Sequence, residues 1–463
     1  MKLKLKPLPL KPQGVKYALK VPQSVLFSDL SLRGSLALIF AKVFGVQYQP
    51  EYISIDNDVM HWDYSADGAF NKCLCVELNP EVVAQKFITT VGRTSRNLIR
   101  TAQVVSIQSR WREEHFVKDL LADLNTYWDA YEEHHSTLFT FWSVENLLTN
   151  SLVEELKKGG FQQEIDLGLA TFIVPSEPNW FMTENRNLVV MKQRGMSNET
   201  AMAYADMFAF LLTPFNLGKP PTAEDIIKRM KGAVPQSGGA NVLPPMTDFP
   251  EHIVRLGELV RELTFWKTER IDTFALSDQI AMPMYKAVAE VVKLPVDLVF
   301  CMTRDEITKA IRGKETVPVQ TLKQRRVRYC LALIDGKIDF YMPTEVEKQT
   351  AKACKGDVLK GMPTSQGVVK GRVKIIEMGA THPKVNSDEI IVATMTRPEM
   401  GGVLDVALAY ITDEGGRLCH AAIVSREKKK PCVVGLGNAT HVLRDGMMIE
   451  VDGTNGTVTV IEE

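Results

Sequence analysis

Apolar residues follow two different rhythms along this chain. From about residue 91 to 320 they recur every three or four positions, the spacing of helices with one buried face. Val144, Leu147, Leu148, Leu152 and Leu156 form one such stripe, predicted to begin at a Ser143 cap and to stop at Gly159-Gly160. A second helix is predicted from about Glu199 to Leu212, ending before Pro214. A third starts at Pro250 and carries Ile253, Leu256, Val260 and Leu263. Thr303 and Glu306 have capping-box spacing, with Gly313 at the far end of that short helix.

The second rhythm is that of strands. YISIDNDVMHWDY reads as a hairpin turning at Asp56, Asn57 and Asp58, and RYCLALIDGKIDFYM as one turning at Asp335-Gly336. After the polar run TEVEKQTAKACKG come short β-rich runs: GVVKGRVKII, EIIVATM, VALAYIT, PCVVGL, MMIEVDG and TVTVI. One helix, HAAIVSREKK, lies among them. The expected fold class is α+β multidomain: a mostly α-helical N-terminal and middle region followed by a compact α/β domain. The expected boundaries are a mixed α/β segment 1–90, a mainly helical substrate- or partner-binding domain 91–345, a linker 346–356 and the compact domain 357–463.

Composition narrows the function classes. The chain has 463 residues, 45% hydrophobic and 24% charged, which suits a folded multidomain protein. Lys and Arg total 55 and Asp and Glu total 56, so the charge gives no general attraction to nucleic acid or to an anionic membrane. The apolar run LALIFAKVFGV is about half of what a bilayer span needs. Seven cysteines show no framework or zinc spacing, Cys73 and Cys75 included, so reduced thiols in a cytoplasmic protein are expected and no metal site.

One stretch reads as chemistry: TDEGGRLCHAAIVSREKKKPCVVG, residues 412–435. A buried-strand pattern ends at Thr412, a turn carries Gly415 and Gly416, and a helix starts near Cys419 or His420. A helix N-terminus has unpaired amide groups and a dipole that favour an anion. The two glycines have no Cβ to keep a phosphate away from the backbone. Imidazole is a nucleophile that is often neutral near pH 7. On position alone His420 is either a histidine that accepts a phosphoryl group or a satisfied helix-start residue.

The wider pattern resembles the phosphohistidine swivelling domain of phosphoenolpyruvate (PEP)-utilising enzymes, such as PEP synthase, pyruvate phosphate dikinase and rifampicin phosphotransferase. Four blocks carry the resemblance between about Gly361 and Ile461: GMPTSQGVVKG, EIIVATMTRPEM, ITDEGGRLCHAAIVSRE and PCVVGLGNATHVLRDGMMIEVDGTNGTV. The resemblance implies a β/β/α swivelling domain in which His420 is phosphorylated and Thr396, Arg397, Gly415, Gly416 and Arg417 line its pocket. Where PEP synthase and pyruvate phosphate dikinase have a threonine used by a regulatory kinase, this chain has Leu418. Cys419, a Cys or Ser in the family, is taken as a packing residue.

Upstream no ATP-grasp pattern is found, and with 11 residues after Asp452 no PEP barrel is expected to follow. The resemblance therefore implies a PEP synthase-like phosphotransferase subunit, incomplete alone. A separate ATP-grasp partner would charge His420 from Mg-ATP, and a small-molecule acceptor would sit in the helical domain. The alternatives are a phosphohistidine relay or regulatory protein that binds another protein, and a non-catalytic structural copy. Other clusters are ambiguous. Tyr127, Trp128, Tyr131, Phe139, Phe141 and Trp142 are core or an apolar wall. Glu132, Glu133, His134 and His135 are neighbours that do not face one metal. Lys323, Arg325, Arg326 and Arg328, and Lys428, Lys429 and Lys430, are solvated faces or docking patches.

Overall fold

The computed structural model describes residues 6–7, 16–20, 24–36, 52–56, 59–62, 79–107, 116–166, 169, 171–173, 175–212, 221–233, 246–327, 329–334, 337–342, 353–376, 384–396, 400–416 and 419–462. Two compact units result, one of residues 1–154, 174–238 and 246–344, the other of residues 155–173, 239–245 and 345–463.

Up to residue 342 the described elements are β1 (Lys6–Pro7), β2 (Lys16–Lys20), α1 (Val25–Leu36), β3 (Tyr52–Asp56), β4 (Val59–Trp62), α2 (Pro80–Val105), α3 (Phe116–Lys158), α4 (Gln162–Asp166), α5 (Trp180–Arg194), α6 (Asn198–Leu212), α7 (Ala223–Gly232), α8 (Glu251–Val292), α9 (Val296–Val299), α10 (Arg304–Ile311), α11 (Val319–Val327), β5 (Cys330–Ile334) and β6 (Lys337–Met342). Helix α2 shows why this region is helical. Asn79 caps it by accepting from the Glu81 amide at 2.8 Å, and Pro80 fills the first turn. Val83, Phe87, Val91, Leu98, Ala102 and Val105 then bury one stripe. Complete burial of a side chain such as Phe87 contributes about 1.5–3 kcal/mol.

Both predicted hairpins are present: β3 pairs antiparallel with β4, and β5 with β6. They are joined, because β3 pairs with β5 in a sheet ordered β1-β6-β5-β3-β4-β2. The expected boundary at residue 90 thus separates segments that one sheet unites. The predicted Ser143 cap is also corrected. Helix α3 runs unbroken from Phe116 through that position, since Tyr127, Trp128, Tyr131, Phe141, Val144 and Leu148 continue one buried face. Its end at Gly159-Gly160, helix α6 and the Thr303–Glu306 capping box match the sequence reading.

The aromatic cluster of this unit is internal, and most of the charged residues form ion pairs, with Lys323 and Arg326 exposed. Tyr127, Trp128, Tyr131 and Phe141 are core, and the side chains of Phe139 and Trp142 lie outside the described set. Glu132 pairs with Arg304 and Glu133 with Arg93. Arg325 grips Glu306 at 2.7 Å and Arg326 pairs with Asp297, while Arg328 lies outside the described residues, as do Cys73 and Cys75. On α8, Asp272 is buried with one carboxyl oxygen lacking a partner, one turn beyond Glu269. Burial and, second, the like charge of Glu269 raise the Asp272 pKa to about 8; burial raises Glu269 to about 7. Among the described residues no helix is long and apolar enough to cross a membrane.

From residue 358 the elements are β7 (Val358–Lys360), β8 (Met362–Ser365), β9 (Val368–Ile376), β10 (Glu389–Ala393), α12 (Gly401–Val406), β11 (Tyr410–Thr412), α13 (His420–Glu427), β12 (Cys432–Val434), α14 (Ala439–Val442), β13 (Met448–Asp452) and β14 (Thr457–Glu462). The sheet order is β7-β14-β13-β9-β10-β11-β12-β8. Strands β9 to β12 are parallel, and the apolar runs of β10, β11 and β12 follow from cover on both faces. Ile390, Val392, Ile411 and Val433 enter one core, and Ile391, Ala393, Tyr410, Cys432 and Val434 enter the other with Ala421 of α13. The outermost strands β7 and β8 are consecutive, with only Gly361 between them. The end of the expected linker belongs to this fold: Ala353 is buried and its amide donates to Val442, and the Gly356 amide donates to Val460. Residues 343–352 lie outside the described residues.

Candidate active site

The carboxyl ends of the parallel strands β10, β11 and β12 carry the residues that matter. After β11 the chain turns through Asp413 to Gly416 and enters α13 at His420, as the sequence reading placed it. Cys419 is the cap, its Sγ accepting from the Ala422 amide at 3.4 Å. The amides of Gly415, Gly416, His420 and Ala421 have no hydrogen-bond partner among the described residues. They are the donors that a helix start and its preceding turn leave open.

His420 is half-buried. Its Nδ1 lies 2.8 Å from Oγ1 of Thr396, on the loop after β10 and 24 positions away in sequence. Its Nε2 has no partner among the described residues. Burial lowers its pKa to about 4, so the ring is neutral throughout the physiological range. The two glycines differ. Gly415 has φ +133°, and a Cβ there would stand 2.8 Å from Cys419 Sγ, so local packing requires it. Gly416 has no atom within 4 Å of where its Cβ would be. The fold itself therefore does not explain the second glycine.

Thr396, Gly415, Gly416 and His420 are placed by the structure, with Thr396 and His420 in contact. Arg397 and Arg417, the two expected phosphate-pocket arginines, lie outside the described residues, as does Leu418. Of the lysines after α13, Lys429 is exposed and the other two fold back onto α12. Lys428 pairs with Asp405, and Lys430 donates to the carbonyls of Leu404, Asp405 and Ala407 at the end of α12. Sequence reasoning missed Asp413, which is buried and accepts from the amide and hydroxyl of Thr440. The signal was faint: an acid directly after a buried strand, with a partner 27 positions on.

Residues 385–456 match the family described as PEP-utilising enzyme, mobile domain. The chain carries a PEP-utilising enzyme mobile domain. The mobile domain has similar counterparts in longer proteins. A probable phosphoenolpyruvate synthase of Archaeoglobus fulgidus is 46% identical over 115 residues, 25% of this chain and 15% of that protein. The phosphoenolpyruvate synthase of Pyrococcus furiosus is 50% identical over 101 residues, 22% of this chain and 12% of that protein. An uncharacterized phosphotransferase of Bacillus subtilis, YvkC, is 32% identical over 167 residues, 34% of this chain and 20% of that protein. The matched part spans a fifth or less of each of these relatives.

Proposed function

We propose that this chain is a phosphotransferase subunit in which His420 carries the phosphoryl group. The observation that carries the reading is the state of that imidazole: neutral, held at Nδ1 by Thr396, open at Nε2, and standing at a helix start beside free amides. In the attacking tautomer Nδ1–H donates to Thr396 Oγ1, which leaves the Nε2 lone pair available. That lone pair forms the N–P bond as the bond from phosphorus to the leaving oxygen breaks, and the oxygen keeps the electron pair. The amides of Gly415, Gly416, His420 and Ala421 face the negative phosphoryl oxygens, and the helix end favours that charge by about 0.3–1 kcal/mol. The second step reverses the geometry: an acceptor hydroxyl oxygen attacks phosphorus, its proton passing to solvent, and the N–P bond breaks with its electron pair returning to Nε2.

The donor in this reading is a separate ATP-grasp protein, with Mg-ATP supplying the phosphoryl group there. Arg397 and Arg417 complete the pocket, and the helical unit holds a small-molecule acceptor. Intact-mass spectrometry under alkaline conditions, which preserve phosphohistidine, tests the reading. Incubated with Mg-ATP and the donor partner, the chain gains one phosphoryl group, and His420→Ala gains none. Equal labelling of both would overturn it.

A further inference from the structure

One residue near His420 is tied more heavily than the fold of its own turn demands. Asp413 is 5% exposed. Its Oδ1 and Oδ2 accept from the Thr440 amide at 3.1 and 3.3 Å, and Oδ2 also accepts from the Thr440 hydroxyl. Its own amide donates to Ala393 at 3.1 Å, and its carbonyl accepts from Gly437 at 2.9 Å. The residues on either side repeat the pattern. Glu414 N donates to Thr394 at 2.9 Å, Leu436 N to Thr412 at 3.2 Å, and Thr412 Oγ1 to the Glu414 carbonyl at 2.6 Å. Three strand-end turns thus meet at this residue: its backbone amide and carbonyl join its own turn, which leads to His420, to the one leading to Thr396 and the one leading into α14, and its side chain adds the Thr440 bonds to the last.

The bonds stop at Glu414. Gly415 and Gly416, the next two residues, donate to nothing among the described residues. The turn is pinned at its base and open at its tip. A capping role at α14 alone would account for the Thr440 bonds. The backbone of the same residue joins the ends of β10 and of the β12 turn, so the Thr440 bonds also hold the side chain of the residue at which the three turns meet, directly before the Glu414–Gly416 turn.

We infer that Asp413 is a positioning residue for phosphoryl transfer, acting with Thr440 to fix the Glu414–Gly416 turn so that its tip amides meet the phosphoryl group on His420. The inference rests on the carrier reading of His420. Its chemistry is that of preorganised donors: amides aimed before the reaction need no rearrangement during it, and small displacements of such groups carry large rate effects.

The test uses the full chain and potassium phosphoramidate, a small phosphoryl donor that needs no partner protein. Uptake is followed by alkaline intact mass and the site by alkaline peptide mapping, well below the unfolding temperature. Asp413→Asn and Thr440→Val are each expected to slow labelling of His420 by about 10–100-fold. Thr440→Ser, which restores the hydroxyl, is expected to return it to near the wild-type rate. The double variant is expected to be no slower than the slower single one, since both changes release the same turn. If Asp413→Asn does not fold, the Thr440 pair carries the test alone. A folded Asp413→Asn or Thr440→Val chain that labels His420 at the wild-type rate, with only its melting temperature lowered, overturns the positioning role and leaves the carrier reading standing. A wild-type chain that takes no phosphoryl group at His420 brings down the carrier reading itself.

Discussion

His134 in the helical unit is fully buried and His420 in the mobile domain half-buried, and burial lowers both pKa values to about 4. Their hydrogen bonds differ. His134 is 0% exposed, with Nδ1 2.8 Å from Thr94 Oγ1 and Nε2 2.9 Å from the Arg270 carbonyl. Both of its nitrogens are used, and it is a core residue. His420 is bonded at one nitrogen, by Thr396, and the other stands open. The perturbed pKa reports burial in both places. Only the unused nitrogen separates a histidine that holds a structure together from one that has chemistry left to perform.

Removing each ring gives the sharpest break between them. His420→Ala is expected to abolish phosphoryl uptake while leaving thermal stability nearly unchanged. His134→Ala is expected to retain uptake and to lose about 2–4 kcal/mol in denaturant unfolding, through the cavity and two orphaned partners. If His134→Ala also loses uptake while folded, the comparison fails.

Next in size is the effect of acid. The folded pKa of His134 lies below the unfolded value near 6.5, so between pH 6.5 and 4 the unfolded chain binds a proton that the folded chain does not. Stability is full above that window and lost as pH falls through it, by roughly 3 kcal/mol for this one group. Urea unfolding from pH 7 to pH 4 measures the slope, and His134→Gln is expected to remove this group's share of it while the share of the other buried histidines remains.

Asp272 has the opposite sign. Its folded pKa, about 8, lies above the usual carboxyl value, so its contribution is present at low pH and declines as pH rises toward 8. Asp272→Asn is expected to raise stability at pH 8 by about 1–3 kcal/mol and to leave phosphoryl uptake untouched. Unfolding curves at pH 5 and pH 8 check this.

The smallest change sharpens the site most. Gly416→Ala puts a methyl group into open space at a backbone angle that alanine accepts, so melting should not move. Uptake should fall about tenfold if that space is kept for the phosphoryl group, equivalent to about 1.4 kcal/mol. Gly415→Ala is the control. It meets Cys419 Sγ and is expected to lower stability directly.

Much of the mobile domain was legible because its information is local. IIVA, YI and CVV are apolar on consecutive positions, as strands covered on both faces are. The glycines, the cap and His420 lie within one short run. What was not legible depends on partners far off in sequence. β3 and β5 are too distant for any pattern to announce their pairing. Ser143 is a good cap by composition, but the buried face running on from Tyr127 outweighs it. The lysines after α13 gave no sign that α12 would offer them carbonyl oxygens. Asp413 and Thr440 are ordinary residues until the fold makes them neighbours.

The join at Gly361 has a consequence for solubility. The two outermost strands of the mobile domain's sheet, β7 and β8, are three and four residues long and are successive parts of one stretch. An intruding chain finds no long row of unpaired amides and carbonyls to zip onto. Sheets that expose such rows polymerise edge to edge. A domain can be moved through a crowded solution, and meet one surface after another, only if it does not adhere to every strand it passes.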